Sequence, residues 1–250
     1  MIEFEITLNC NFKCPYCFNG RNDVLKNKIK ETSLETLIKT FSPINNIYIY
    51  GGEPLLSRNI VKFVEFLKEK NKNYVIQTNF SLRERILKIL EIDPNANFQV
   101  SIHSTQLKHK ETIKNVLEFY KNVSQADIMF TSLQDLKLYF KLKKKIPCLR
   151  LVPVADFGSN ERNFLPSLIL YNKLRKIYKH ISFDDGNRSF IWEKQFLDSN
   201  FKIKGKKCIS KEEYIMFDPS CVKHHCPQRF DGNICPFNSC FNLDKNIKLL

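Results

Sequence analysis

An α/β fold, a parallel sheet with helices packed outside it, is what this sequence predicts, and three observations carry the prediction. Strand-like apolar runs alternate with amphipathic helical stretches six times from the N-terminus onward. No internal repeat and no low-complexity linker interrupts that alternation. At 250 residues with 43% hydrophobic content, the chain can bury one sizeable core and carry a small appendage.

The first strand is expected at residues 2–8, where Glu3 and Glu5 alternate with Phe4 and Ile6. Further strands are expected at 47–50, 74–78, 97–102, 127–131 and 149–154. Helical patterns fall between them at 34–41, 59–69, 82–91, 111–122 and 133–143, and a last helix at 165–181 completes the sixth unit. Two helices begin with capping-box spacing, Thr32 with Glu35 and Ser81 with Glu84, in which each side chain satisfies a free amide of the helix terminus. The alternation fits an open sheet and a closed or partial barrel equally well, and in either case a site is expected at the C-terminal ends of the strands. After Asp184-Asp185-Gly186 the pattern turns polar, passes the only tryptophan, Trp192, and becomes a cysteine-rich tail. A boundary is therefore expected near residue 182, with a barrel-like unit over 1–182 and a small extension over 183–250. The first strand begins directly after Met1, so no separate N-terminal recognition domain is expected.

Forty Lys and Arg against 26 Asp and Glu give a formal charge of +14, which favours an anionic partner: an acidic peptide, a phosphorylated metabolite or nucleic acid. Lysine outnumbers arginine, the better phosphate fork, and a run such as Lys143-Lys144-Lys145 also reads as a solvated helix end. No apolar stretch approaches a membrane span and no basic-then-apolar leader is present, so a cytoplasmic, membrane-free protein is expected. The nine cysteines are an odd count without an export signal, which suits reduced, metal-binding thiols over disulfides. Cys148 reads as a small buried apolar residue.

Three of those thiols lie in Cys10-Asn-Phe-Lys-Cys14-Pro-Tyr-Cys17, a C-x3-C-x2-C spacing directly after the first strand. Three close thiolates can grip an iron–sulfur cluster and leave one iron open, although close cysteines also suit zinc. A second signature, Gly51-Gly52-Glu53-Pro54, follows the second strand. Together, in this order and with Tyr16 before the last cysteine, they resemble the signature of the radical S-adenosylmethionine (radical SAM) enzymes.

The resemblance implies a six-stranded partial (β/α)6 TIM-like barrel. It further implies a [4Fe–4S] cluster on Cys10, Cys14 and Cys17, and S-adenosylmethionine bound on the open iron. One electron, from a donor such as a flavodoxin or ferredoxin, would cleave the cofactor to a 5′-deoxyadenosyl radical that takes hydrogen from substrate. Cofactor contacts are implied at Tyr16, at Gly51 and Gly52, whose missing side chains permit close backbone approach, at Glu53 toward the amino group, and at Pro54 as a stiff turn. Gln77-Thr78-Asn79 resembles the family's third-strand ending and Ser101-Ile102-His103-Ser104 its fourth. Thr78, Asn79, Ser101 and His103 are therefore candidate contacts, with His103 standing where relatives often carry aspartate and available as an acid or base. Arg150 is a candidate partner for the cofactor carboxylate or for substrate.

The tail resembles the SPASM and twitch extensions of the same family, the shorter twitch type better. Cys208 and Cys226 fall at that pattern's cysteine positions, Cys221 at its hairpin glycine, and Cys235 and Cys240 complete a four-cysteine site. An auxiliary [4Fe–4S] cluster is implied there, with Cys221 as a fifth ligand or a catalytic thiol. The same cysteines with His224 or His225 also suit zinc. The function expected first is maturation of a ribosomal peptide by crosslink, thioether or epimerisation. The alternatives are oxidation or rearrangement of a small metabolite or nucleotide, nucleic-acid modification, and a non-enzymatic iron–sulfur or zinc module.

Overall fold

The structure is a computed structural model that describes residues 2–17, 31–154, 165–179, 181–183, 216–217, 219–221 and 223–224. Six parallel strands form the main part of its sheet: β1 (Ile2–Thr7), β2 (Asn46–Gly51), β3 (Asn73–Thr78), β4 (Phe98–Ile102), β5 (Val123–Phe130) and β6 (Leu149–Pro153). Each of the six pairs with the next in sequence, from β1 to β6 at one edge. The connecting helices are α1 (Leu34–Phe41), α2 (Ile60–Glu69), α3 (Arg83–Ile92), α4 (His109–Glu118), α5 (Leu133–Lys143) and α6 (Leu165–Ile177). This is the α/β architecture of a partial, TIM-like barrel, because short crossovers between parallel strands leave the helices on the outer face. Among the described residues, no helix is long and apolar enough to cross a membrane.

Strand alternation divides the sheet chemically. Phe4, Ile6, Ile47, Ile49, Ile76, Phe98, Val100, Ala126, Ile128, Leu149 and Leu151 are buried and join the hydrophobic core. The alternate positions, Glu3, Glu5, Tyr48, Gln77, Gln99, Ser101, Gln125, Asp127 and Arg150, turn to the opposite face, which is polar.

Phe41, at the end of α1, is fully buried and packs its ring against Phe4 of β1 (4.6 Å between centroids), Phe63 of α2 (5.5 Å) and Phe217 (5.4 Å). Phe217 belongs to a strand the sequence pattern did not predict. The short β7 (Met216–Phe217) pairs parallel with β1 at Glu3 and Phe4, and β8 (Lys223–His224) folds back on it antiparallel. The described strands of the cysteine-rich tail thus extend the main sheet.

Helix starts and ends correct several expectations. The cap of α1 is Ser33, whose hydroxyl accepts from the Thr36 amide (3.2 Å), and not Thr32, whose own amide donates to the Pro219 carbonyl (2.9 Å). Ser81 does not cap α3 either; Leu82 stands there without a side-chain bond, because Ser81 is drawn into the site described below. A true capping box forms at Ser132 and Asp135 of α5, where aspartate takes the place of the longer acid. The helix expected over 111–122 runs His109–Glu118 followed by a 3-10 turn, Tyr120–Asn122, and α6 stops at Ile177.

Because Phe41 joins β1, α1, α2 and β7, Phe41→Ala is expected to cost about 3–5 kcal/mol, the usual toll of a large buried ring. Urea denaturation checks this through a lower midpoint at unchanged slope. A loss under about 1 kcal/mol would contradict the packing assigned to this cluster.

Candidate active site

The candidate site stands at the C-terminal ends of β1 to β4. Residues 8–17 leave β1 as an irregular loop that carries Cys10, Cys14 and Cys17, with a turn closed by the Cys17 amide on the Cys14 carbonyl (3.0 Å). The end of β2 lies directly against the start of this loop. The Gly52 amide donates to the Thr7 carbonyl (2.8 Å) and the Glu53 amide to the Asn9 carbonyl (2.7 Å). A Cβ on Gly51 would sit 2.3 Å from the Thr7 carbonyl oxygen, and one on Gly52 2.3 Å from that of Asn9. Gly51 also has φ +147°, which disfavours any side chain. The close approach these glycines allow is therefore to the chain's own backbone, one residue ahead of Cys10.

Glu53 is fully buried beneath this turn, with both carboxylate oxygens engaged. Oε1 accepts from the Thr78 hydroxyl (2.6 Å) and the Leu55 amide (3.0 Å), and Oε2 from the Asn79 amide (2.7 Å). Burial raises its pKa to about 7, against the opposing pull of those three hydrogen bonds. Pro54 opens a 3-10 turn, Pro54–Leu56, that Glu53 caps. One carboxylate thus ties the end of β2 to the end of β3.

The end of β3 is strained. Phe80 is buried with φ 56°, an uncommon conformation for a bulky residue, and α4 holds it there. Thr112 donates to the Asn79 carbonyl (2.6 Å) and the Asn115 side chain to the Phe80 carbonyl (2.8 Å). The kink turns the Asn79 side chain toward the cysteine loop, where Nδ2 donates to Asn11 Oδ1 (2.8 Å). Asn11 Nδ2 in turn donates to the Ser81 hydroxyl (2.9 Å), which itself donates to Asn79 Oδ1 (2.7 Å).

At the end of β4, His103 meets the loop from the other side. Its Nδ1 lies 3.1 Å from the Tyr16 hydroxyl, its ring stacks on that of Tyr16 (5.8 Å), and the Phe12 ring stands edge-on to it (5.9 Å). Desolvation pushes the His103 pKa down to about 4, so the imidazole is neutral at pH 7. Burial also raises the Tyr16 phenol, which stays protonated.

Deeper on the polar face, Arg150 grips Asp127 with two bonds, Nε to Oδ1 (2.8 Å) and Nη2 to Oδ2 (3.1 Å). Gln125 and Gln99 add bonds to Oδ2 (2.8 and 3.2 Å), and the Tyr48 hydroxyl donates to Gln99 (2.7 Å). Arg150 thus faces the same side as Ser101, whose strand register places it opposite Asp127. Cys148 is half-buried against the core, as its apolar reading requires. Cys221 is half-buried with φ 62°, so it holds the left-handed conformation that glycine normally supplies in a hairpin. The other tail cysteines, Cys208, Cys226, Cys235 and Cys240, lie outside the described residues, as does His225.

The sequence reading missed Asn11, Phe80, Asp127 and Gln106. Only Asp127 carried a local signal, the lone acid at the head of the strand-like run 127–131.

The loop suits a multi-iron cluster. Burial and the neighbouring Cys17 and Cys10 sulfurs push the Cys14 thiol up to about 12, a cost of ionisation that a cationic cluster bound to all three would offset. Among the described residues, no three His, Cys, Asp or Glu side chains converge on a single-ion site.

A family model described as the Radical SAM superfamily matches residues 4–133. The chain is 30% identical over 224 residues to GTP 3′,8-cyclase of Helicobacter pylori, covering 82% of this chain and 64% of that protein. It is 32% identical over 133 residues to 7-carboxy-7-deazaguanine synthase of Aquifex aeolicus, covering 47% of this chain and 58% of that protein. Among solved structures, Streptococcus suis SuiB bound to S-adenosylmethionine shares the fold with a TM-score of 0.62 at 13% identity, covering 90% of this chain and 58% of that one. The chain spans between half and two thirds of the length of these relatives. With the family match extending from β1 past β5, over more than half of the residues, the chain belongs to the radical SAM superfamily.

Proposed function

We propose that this chain is a radical SAM enzyme in which Cys10, Cys14 and Cys17 hold a [4Fe–4S] cluster, and residues 51–54 with the ends of β3, β4 and β6 bind S-adenosylmethionine. When bound, the pair supplies one-electron cleavage of the cofactor and hydrogen abstraction from substrate. The observation that carries this reading is the backbone contact of Gly51 and Gly52 on residues 7–9, which sets the cysteine loop and the cofactor turn side by side. Glu53 serves the turn from beneath, its oxygens being committed to Leu55, Thr78 and Asn79. Asn79, Ser101 and His103 are the cofactor or substrate contacts at these strand ends, with His103 acting as a neutral hydrogen-bonding group, while Arg150 meets a ligand only as part of its two-bond pair with Asp127.

The substrate class supported best is a nucleotide or related heteroaromatic metabolite. The curated relatives near 30% identity are named for GTP and a deazaguanine, and the charge of +14 suits a phosphorylated ligand. Peptide modification is the second reading. It is supported by Cys221, whose left-handed backbone suits the glycine position of the twitch-like hairpin. In both readings residues 183–250 form an extension in which Cys208, Cys226, Cys235 and Cys240, with Cys221 spare or ligating, hold an auxiliary iron–sulfur cluster in preference to zinc. A flavodoxin or ferredoxin is the proposed donor.

Anaerobically reconstituted protein is expected to release 5′-deoxyadenosine on reduction, faster with GTP than without it. Cys14→Ala should abolish that release; an undiminished rate would sink the cluster assignment. A rate indifferent to GTP but raised by an acidic peptide would favour the second reading.

Gly52→Ala forces a methyl group onto the Asn9 carbonyl, an overpacking expected to cost about 1–3 kcal/mol and to lower iron bound per chain. Iron analysis beside thermal melting checks it, and full iron loading at wild-type stability would refute the contact.

For Glu53, a carboxyl whose folded pKa lies near 7 against an ordinary 4.5 binds more protons folded than unfolded between those values. It therefore makes the chain less stable as pH rises through that window. Glu53→Gln should flatten this slope in urea midpoints measured from pH 4 to 8 on metal-free protein. Parallel wild-type and variant curves would show that Glu53 ionises normally.

A further inference from the structure

Between Cys10 and Cys17 the loop is irregular, and its internal bonds include the Cys17 amide on the Cys14 carbonyl and the Phe12 amide on the Cys10 sulfur, yet its backbone needs partners as any chain segment does. At Lys13, next to Cys14, both come from one side chain 93 residues away. The Lys13 amide donates to Gln106 Oε1 (3.0 Å), and Gln106 Nε2 donates to the Lys13 carbonyl (3.1 Å). A primary amide here does what an opposing residue does in the hydrogen-bonded pair of an antiparallel sheet, satisfying donor and acceptor of the same residue at once.

Such a latch holds only if its base is fixed. The Gln106 amide donates to the His103 carbonyl (3.0 Å), closing the turn at the end of β4. The Gln106 carbonyl accepts from both the amide (3.1 Å) and ring Nδ1 (2.7 Å) of His109, the first residue of α4. Gln106 is thus pinned by its main chain to β4 and α4, and its side chain alone reaches the loop. Asn11 is likewise tied to Asn79 and Ser81, and Tyr16 to His103, so residues spaced between the thiols are anchored to the strand ends.

We propose that Gln106 is a positioning residue for the iron–sulfur centre: it holds Lys13, and through it Cys14, in the ligating shape before metal arrives. The proposal rests on the assignment of Cys10, Cys14 and Cys17 as cluster ligands. Pre-ordering the loop removes an entropy cost from cluster binding, so loss of the latch appears as weaker iron retention, while the fold, whose core Gln106 does not enter, keeps its stability.

The test uses the full-length chain in three forms. Gln106→Met keeps length and bulk but removes both hydrogen bonds; Gln106→Glu keeps an acceptor for the Lys13 amide and loses the donor. Hydrogen exchange of metal-free protein is expected to quicken in residues 11–17 of Gln106→Met and to leave β3, β5 and the thermal midpoint unchanged. Iron loss from reconstituted protein to a chelator should be roughly thirtyfold faster in Gln106→Met, the factor two ordinary hydrogen bonds represent, and intermediate in Gln106→Glu. Exchange in residues 11–17 unchanged in both variants overturns the proposal, as does acceleration spread across the whole sheet with a lowered midpoint. Wild-type protein that takes up no iron overturns instead the cluster assignment beneath it, a result distinct from failure of the latch, which leaves wild-type iron uptake intact.

Discussion

The arrangement depends first on the absence of two side chains. At the end of β2 the chain runs so close to residues 7–9 that no Cβ fits between the backbones, and two amides of that turn bond carbonyls of the loop's lead-in. Parallel strands normally diverge as they leave a sheet. Here Gly51 and Gly52 keep β1 and β2 in contact one step beyond the regular pairing, so the segment that carries the thiols starts from a fixed point.

The strand ends are then bound to one another by polar groups that would be costly if left alone. Glu53 is fully buried, and its carboxylate is tolerable only because three donors from β3 and the 3-10 turn converge on it. The strained Phe80 persists because Thr112 and Asn115 of α4 hold the carbonyls on either side of the kink. Helix α4 therefore has two tasks, covering the core and aiming Asn79. On the polar face, Asp127 accepts from Arg150, Gln125 and Gln99, a network that gives strands β4, β5 and β6 a common fixed geometry. These connections run between strand ends and across strands, which is why a site made of many short loops can be rigid.

The extension is part of the same logic. Phe217 completes an aromatic cluster with Phe4, Phe41 and Phe63, and β7 adds to the exposed edge of β1, an edge that would otherwise offer unpaired backbone groups. Cys221 follows in a conformation that costs a side-chain-bearing residue more than it would glycine.

The sequence by itself determined the order of the six main strands and their helices, the alternation of acid and apolar residues along β1, and the two motifs that identify the family. All of these are local: periodicity and spacing record where strands and helices lie and which thiols stand within a few residues of each other. Helix caps were legible only in part, because Ser81 satisfied the local rule for a cap yet was claimed by Asn11 and Asn79 from another segment. Only the tertiary structure decided that Glu53 braces β3 from below, that Arg150 is neutralised by Asp127, that a two-residue strand of the tail joins β1, and that Gln106 holds Lys13. Each of these joins groups distant along the chain, and the hydrogen bonds and close packing that create them come into being only when the folded strand ends meet.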